Sequence, residues 1–115
     1  MTKVYCDYNG LSIALESIRN GGVVIFPTDT VYGIGCNPYN KEAVSRVYTI
    51  KKRNKTKGLP ILGYSQDDLE KIVVFNETAK NIVKKFWPGQ LTIILPIKDK
   101  KLQESMFATD KIAVR

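Results

Sequence analysis

Short apolar runs alternate with stretches of helical periodicity along this sequence, and the alternation limits the folds that it can adopt. A brief apolar run between turn residues is typical of a buried strand, whereas apolar residues three and four apart form one face of a helix. Alternation of the two favours an α/β fold with a mixed sheet. The 115 residues suffice for one core, so we expect residues 1–115 to form a single domain.

The predicted elements follow one another in a simple order. The first half of the chain has a helix at about 11–20, a strand at 23–26, extended structure at 31–34 and a helix from a cap at Asn40 to about 52. A strand at 59–64 follows, then a helix opened by Ser65 that runs to about 72 and an apolar run at 73–75. The last elements are a helix from a cap at Asn76 to 87, a strand at 91–97, a charged turn at 98–101 and a strand at 112–114. Residues 102–107 stay unassigned. Two helices have predicted buried faces, made of Ala43, Val44, Val47 and Tyr48 in one and of Ala79, Ile82, Val83 and Phe86 in the other.

Several site chemistries are excluded by residues that the sequence lacks. There is no histidine, so a Ser-His-Asp or Cys-His triad within the chain is excluded, as is a histidine metal ligand. No Gly-x-x-x-x-Gly-Lys-Ser/Thr phosphate loop is present. Cys6 and Cys36 lack paired spacing, so we expect no metal site and reduced thiols in a cytoplasmic protein. No apolar run reaches the roughly 20 residues that a membrane span needs, so we expect no membrane partner.

Positive charge is concentrated in one window of the sequence. The formal net charge is +7, and residues 41–57 hold seven Lys or Arg residues against Glu42, which gives +6 and leaves +1 for the remainder. Such a cluster focuses a positive potential and attracts phosphates. The alternative is a solvated helix end that interacts well with the helix dipole. It accounts less easily for the five cations within residues 51–57.

Residues 27–35 combine polar side chains and glycines that suit a small-molecule site. Pro27 ends the predicted strand, and two threonines, an aspartate and a tyrosine follow within five residues. We expect Gly33 and Gly35 to allow positive φ and a close approach of backbone N–H groups to a ligand. A turn in which threonine and aspartate bond to their own backbone uses the same residues, so that alternative stays open.

Lys51 and Arg53 form a second candidate group, with Lys57 close by. If the chain is extended after the helix, Lys51 and Arg53 project to one side and grip one polyphosphate, the lysine as a point charge and the arginine as a two-pronged donor. A third group lies at 88–92. A helix stop before a core strand is its favoured interpretation, and Thr92 is its one candidate for facing a ligand.

Three stretches in this order resemble the YrdC-like family: Pro-Thr-Asp-Thr-Val-Tyr-Gly-Ile-Gly at 27–35, Lys-x-Arg at 51–53 and Phe-Trp-Pro-Gly-Gln-Leu-Thr-Ile-Ile-Leu at 86–95. The resemblance covers about 11–115, nearly the whole chain. It implies a twisted, mixed α/β sheet with an open, positively charged cavity. It also implies a threonylcarbamoyl-AMP synthase, which converts L-threonine, bicarbonate and ATP, with Mg²⁺, into threonylcarbamoyl-adenylate and pyrophosphate. The product serves a threonylcarbamoyl-transferase machinery that modifies an adenosine beside the anticodon of certain tRNAs.

The resemblance implies roles for individual residues as well. Lys51 and Arg53 match the Lys-x-Arg motif, which handles nucleotide phosphates and the nascent carbamate, and Lys57 is grouped with them for ATP. Thr30 and Tyr32 match the part of the first motif that lines the pocket for threonine and carbonate. Further candidates for contacts with substrate are Thr28, Tyr64 and Thr92.

The comparison with the family pattern adds one matching residue and two departures. Arg115 matches an arginine that ends a strand and faces the same cavity, although the residues alone give it no special role. Family members often carry a histidine in the strand after Lys-x-Arg, where this chain has none, and Tyr64 or a water is expected to stand in. Family domains also continue to a Ser-x-Asn motif that helps to bind ATP. The sequence contains no such motif, so we expect the front portion of the domain, inactive alone.

Two other functions stay open. A non-catalytic module that binds double-stranded RNA, tRNA or a nucleotide would use the same basic cavity, and the net charge of +7 suits it. The third hypothesis is a carbamoyl-adenylate-forming module of the type found in hydrogenase-maturation proteins. The zinc-finger and acylphosphatase domains that accompany it in those proteins are absent from the sequence. Pyrophosphate release that requires threonine separates the synthase from both.

Overall fold

A computed structural model describes residues 2–115. The chain divides into two compact units, of which the first ends at Lys52 and the second spans Arg53–Arg115. Both units combine helices with short paired strands, and parallel as well as antiparallel pairing occurs, so the mixed α/β class is confirmed. The expectation of a single domain stays a prediction.

The first helix of the first unit, α1, spans Tyr8–Arg19 and begins three residues before the predicted start. Its N-cap is Asp7, whose carboxylate accepts a hydrogen bond from Gly10 N at 2.7 Å. This bond satisfies one of the backbone donors that a helix start leaves without a partner. Gly21, at φ +84°, follows the end of the helix, as the Asn-Gly-Gly sequence predicts.

Helix α2 spans Lys41–Lys51 and is capped by Asn40, whose side chain accepts from Ala43 N at 3.0 Å. The predicted cap is therefore confirmed. The predicted buried face is confirmed too, because its four residues are each at most 2% exposed. A local signal was sufficient here: one capping side chain fixes the start, and the apolar spacing fixes the face.

Strands β1, Val24–Phe26, and β2, Gly33–Gly35, pair antiparallel, with Phe26 opposite Gly33. Gly33 and Gly35 do not use the positive φ that glycine allows, since both lie in the extended strand β2. A Cβ added to Gly33 would lie 3.1 Å from Phe26 Cε2, and one added to Gly35 would lie 3.0 Å from Cε1. The two positions lack a side chain because the ring of Phe26 lies across them.

The second unit is organised on strand β4, Lys111–Val114, which is paired along both edges. The antiparallel strand β3, Ile93–Pro96, lies on one edge. Residues 61–63 lie parallel on the other, where Ile61 N donates to the carbonyl of Ala113 at 2.9 Å. The predicted strand at 59–64 is therefore confirmed only in its centre.

A fourth segment completes this sheet. Val74 N donates to the carbonyl of Pro96 at 2.9 Å, and Val73 lies opposite Ile97. The spatial order is thus 61–63, β4, β3 and 72–74. Buried side chains of the unit that share one face of this sheet are Ile61, Val73, Leu95, Ile112 and Val114.

Three helices belong to the second unit: α3, Gln66–Glu70; α4, Glu77–Phe86; and α5, Lys100–Ser105. The caps predicted from the sequence are confirmed, because Ser65 Oγ accepts from Asp68 N at 3.2 Å and Asn76 Oδ1 accepts from Ala79 N at 2.8 Å. The predicted stop of α4 is confirmed as well, with Trp87 at its C-cap before Pro88.

Two predictions for this unit are wrong. Ile82 and Phe86 are 37% and 58% exposed, so the inner face of α4 is narrower than its apolar spacing suggests. The predicted charged turn at 98–101 instead leads into α5, because Asp99 caps that helix by accepting from Leu102 N at 3.2 Å. Leu102, 1% exposed, and Met106 at the C-cap, 4% exposed, anchor α5 in the core. Two apolar residues in so short a helix are too weak a pattern to detect in the sequence.

Within residues 2–115, none of the helices combines the length and the apolar character that crossing a bilayer requires.

We predict that Gly63→Ala lowers the free energy of unfolding by about 1–3 kcal/mol. A Cβ at this position would lie 2.5 Å from Cγ of Leu69, which is 2% exposed and cannot move aside easily. Urea denaturation measures the loss. In a Leu69→Ala background the same substitution should cost much less, because the opposing side chain has been removed. An equal loss in both backgrounds would contradict this explanation.

Candidate functional site

A pocket of about 620 Å³ lies in the second unit, between residues 53–60, the start of β3 and residues 106–113. Its volume is within the roughly 300–1,000 Å³ of small-molecule sites. Four cationic side chains line it: Arg53, Lys55, Lys57 and Lys111. No acidic side chain is found among its lining residues, all of which belong to the described part of the chain. The pocket therefore favours an anionic ligand.

The loop at 53–58 is shaped by its own side chains. Asn54 Oδ1 accepts from both Thr56 N and Thr56 Oγ1, each at 3.0 Å. These bonds hold a short 3-10 helix, Lys55–Lys57. Gly58 then caps the end of this helix at φ +64°, a conformation that residues with a side chain rarely adopt.

Arg53 braces the same loop from its start. Its Nε donates to the carbonyl of Gly58 at 3.1 Å, and its Nη2 donates to the carbonyl of Lys57 at 3.3 Å. These bonds use two of the five N–H donors of a guanidinium group. Arg53 can therefore fix the loop and still present donors to a phosphate or carboxylate oxygen.

The predicted site residues of the second unit separate into two groups. Arg53, Lys57 and Thr92 all line the pocket, so the structure brings these three together. Tyr64 and Arg115 are not among its lining residues. Tyr64 is 97% exposed, and Arg115 is half-buried with its Nε donating to the carbonyl of Gly89 at 3.1 Å.

Lys51 belongs to the first unit, where it is the last residue of α2 and is exposed. The condition that the chain is extended after the helix is not met, because Lys52 adopts the left-handed conformation at φ +52°. Lys52 N donates to the carbonyl of Thr49 at 3.1 Å and so closes the last turn of the helix. The alternation of side chains on which the one-sided arrangement of Lys51 and Arg53 depends is therefore not present.

Residues 28–31 of the first unit form a turn organised by Thr28. Its hydroxyl donates to the carbonyl of Val31 and accepts from Thr30 N at 3.2 Å. The Thr30 hydroxyl lies 3.2 Å from that of Thr28. Because the proton of Thr28 is committed to Val31, Thr30 is the donor in this second contact. Thr28 thus makes the local bonds of the turn, while Thr30 and Tyr32 are exposed to solvent.

Three lining residues that are able to contact a ligand were not identified from the sequence: Lys55, Phe107 and Lys111. Lys55 was counted only as part of the basic window. Lys111 is distant in sequence and enters the pocket because β4 lies beside residues 61–63. Phe107 has a positive φ of +54°, a conformation for which a phenylalanine gives no sequence signal.

The cysteines show no feature of a reactive pair. Cys6 is exposed, and Cys36 is partly buried. Burial raises the pKa of the Cys36 thiol, and Arg46 opposes that change only in part. The thiol of Cys36 therefore stays protonated near neutral pH, which does not favour a role as nucleophile.

The chain is similar to proteins of one family along most of its length. The Sua5/YciO/YrdC family model, described as "Telomere recombination", matches residues 16–115. A relative in Methanocaldococcus jannaschii is 43% identical over 105 residues, which are 91% of this chain and 50% of that protein. A threonylcarbamoyl-AMP synthase of Aliivibrio fischeri is 35% identical over 111 residues, with 91% and 58% covered. The chain thus spans about half the length of these relatives.

A solved structure is similar as well. The crystal structure of P. abyssi Sua5 complexed with L-threonine matches with a TM-score of 0.88 at 35% identity. The match covers 97% of this chain and 33% of the Sua5 chain.

We predict that Thr28→Val lowers the free energy of unfolding by about 1 kcal/mol, because it removes the hydroxyl that bonds Val31 and Thr30. Thr30→Val should change stability less, since the Thr30 hydroxyl contributes one exposed contact. Thr28→Ser is the control that keeps the hydroxyl. Thermal unfolding of the three variants measures the differences, and equal melting temperatures for Thr28→Val and the unsubstituted chain would contradict the role given to Thr28.

Proposed function

We propose a function from one premise: this chain belongs to the Sua5/YciO/YrdC family, whose model matches residues 16–115. The proposed function is L-threonylcarbamoyladenylate synthesis from L-threonine, bicarbonate and ATP, in support of tRNA threonylcarbamoyladenosine modification. The observation that carries the proposal is the pocket of the second unit, which has four cations and no acidic group among its described lining residues. Names of relatives, such as that of the A. fischeri protein, support the same reaction.

The chemistry requires charge stabilisation more than it requires an acid or base. The threonine amine attacks the carbon of bicarbonate, and loss of water leaves a carbamate. An oxygen of the carbamate then attacks the α-phosphorus of ATP, and the bond to pyrophosphate breaks. Negative charge accumulates on the leaving pyrophosphate, so positioned cations lower the barrier. The absence of histidine from the sequence is no obstacle to this mechanism.

Arg53 and Lys57 are the proposed nucleotide contacts in the second unit, and Lys51 is proposed by its place in the Lys-x-Arg motif. Arg53 suits a bidentate contact, because its Nε and Nη2 bonds to the loop hold the guanidinium plane in place. Lys57 lines the same pocket as a more mobile point charge. Thr92, also in the lining, offers a neutral hydroxyl for a further oxygen.

The threonine contacts are proposed from the family resemblance and not from any distance. They are Thr30 and Tyr32 in the first unit and Arg115 in the second, with Thr28 and Tyr64 as further candidates. P. abyssi Sua5, to which this chain is 35% identical, has been solved with L-threonine bound. A hydroxyl pair and a guanidinium are suitable partners for an amino acid's hydroxyl and carboxylate.

Magnesium is proposed only as a companion of the nucleotide. Among residues 2–115 there is no group of three side chains of the Asp, Glu, Cys or His type that could hold a metal ion. Mg²⁺ often keeps several waters and binds through substrate phosphates with few protein ligands. It would neutralise phosphate charge in that form, and we assign none of this chain's residues to it.

A second function is favoured by the same pocket. Four cations without an acid also suit the phosphate backbone of double-stranded RNA or tRNA, so a non-catalytic binding module is the alternative. Pyrophosphate release from ATP, measured with and without L-threonine and bicarbonate, separates the two. The assay is run on the 115-residue chain alone and after addition of the C-terminal part of the A. fischeri relative. RNA binding with no threonine-dependent release in either arm would reject the synthase.

We predict that Arg53→Ala and Lys57→Ala each weaken ATP binding roughly tenfold, the loss of about 1.5 kcal/mol that one charge-assisted hydrogen bond contributes. Lys51→Ala should act in the same direction. The matched control is Lys100→Ala, which removes an exposed lysine of α5 outside the pocket. Titration calorimetry at low and high salt measures the affinities. Equal effects from all four substitutions would show that only diffuse charge matters.

We predict that Thr30→Val weakens L-threonine binding several-fold and leaves the melting temperature nearly unchanged. Valine keeps the shape of threonine and removes the hydroxyl proposed to contact the substrate. Calorimetric titration with L-threonine, with L-valine as the control ligand, measures the effect. If Thr30→Val unfolds the protein and has no separate effect on threonine binding, Thr30 is a structural residue of the turn.

A further inference from the structure

The loop at 53–58 and the turn at 106–109 face one another across the pocket. The hydrogen bonds that shape the loop are internal to it. They give the loop a fixed form, but they do not fix its distance from the opposite wall. One contact does join the two walls: Lys55 Nζ lies 4.0 Å from the centroid of the Phe107 ring. That distance is well within the range of a cation–π interaction.

The backbone of Phe107 adds a second observation. The residue follows the C-cap of α5 and has φ +54°, and its N–H donates to the carbonyl of Glu104 at 3.2 Å. Glycine is the usual residue in this position after a helix, because a side chain makes the left-handed conformation costly. The turn itself would therefore form more easily with glycine. The phenyl ring is the part of the residue that contacts Lys55.

The two groups lie where the phosphate contacts are proposed. Lys55 and Phe107 both line the pocket, together with Arg53, Lys57 and Lys111. Lys55 stands between Arg53 and Lys57 in the sequence, so holding Lys55 against the turn also holds its two neighbours at the pocket. Three like charges at alternate positions repel one another, and the electron-rich face of the ring offers one of them a favourable partner.

We propose that Lys55 and Phe107 form a latch that closes the basic loop on the turn at 106–109 and so positions Arg53 and Lys57 for a polyphosphate. This inference rests on the proposed function for the identity of the ligand, but not for the latch itself. Both are positioning residues. Their contact holds the loop in place, and the loop in turn places Arg53 and Lys57. At an exposed site such a contact favours the closed form by about two- to fivefold, so the latch can open readily.

The first experiment measures the loop without any nucleotide. Trypsin cleaves after Arg53, Lys55 and Lys57 only when the loop opens, so limited proteolysis reports the latch. Phe107→Leu should speed cleavage in the loop about two- to fivefold, whereas Phe107→Tyr, which keeps the ring face, should leave it unchanged. Phe107→Gly removes both the ring and the backbone strain. It should still speed cleavage although the backbone of the turn is relieved of strain, an outcome that a residue needed only for the turn would not produce.

The second experiment measures binding with two probes, ATP and inorganic tripolyphosphate. Phe107→Leu should weaken both about two- to fivefold, and Lys55→Arg should retain affinity where Lys55→Gln does not. The double variant of Lys55→Gln and Phe107→Leu should lose less affinity than the sum of the two single losses, because both substitutions open the same latch.

Several results would overturn the latch. Loss of ATP affinity with unchanged tripolyphosphate affinity would mean that the ring contacts the base directly. Additive effects of the two substitutions, or unchanged cleavage in Phe107→Leu, would mean that the two residues act separately. Failure of the unsubstituted chain to bind either probe rejects the proposed function alone, since proteolysis still decides whether the latch exists.

Discussion

The pairing of β4 on both edges is the constraint on which the second unit depends. Its antiparallel partner β3 brings Ile94, and Thr92 just before the strand, to the pocket. Its parallel partner, residues 61–63, leads directly back to the basic loop. Val114 at the centre of this arrangement is fully buried. Because a tight turn cannot connect two parallel strands, the chain between residues 61–63 and β4 makes up most of the unit. The pocket therefore exists only when the whole unit is folded.

The basic loop shows how a cluster of like charges can be held in a defined form. Repulsion between Arg53, Lys55 and Lys57 opposes a compact turn, and solvent screening reduces but does not remove it. Neutral groups provide the compensation: the Asn54 carboxamide holds the short helix, and backbone carbonyls of the loop accept from Arg53. None of these bonds neutralises a cation. The loop therefore keeps its full charge for a ligand, which an ion pair within the loop would have reduced.

Local signals explain which parts of the fold could be predicted from the sequence. Asn40, Ser65 and Asn76 cap their helices as predicted, because a cap depends only on the next three residues. The left-handed conformations of Lys52 and Phe107 were not predictable, since neither residue type indicates positive φ. The extended conformation of Gly33 and Gly35 was not predictable for a related reason. Their lack of a side chain makes room for the ring of Phe26, which a sequence pattern of glycines cannot distinguish from a turn.

The sequence predicted a basic site but not which cations line the pocket, because charges that are close in sequence need not line the same pocket. The window at 41–57 holds +6, yet four of its cations, Lys41, Arg46, Lys51 and Lys52, belong to the first unit. One of these, Arg46, donates to the carbonyl of Gly21 at 3.1 Å and so supports the local fold. The pocket takes only three cations from the window and gains a fourth, Lys111, from β4. Its positive potential therefore depends on a pairing between distant strands, and a variant that disturbs β4 without touching any charge should weaken anion binding as surely as the loss of a lysine.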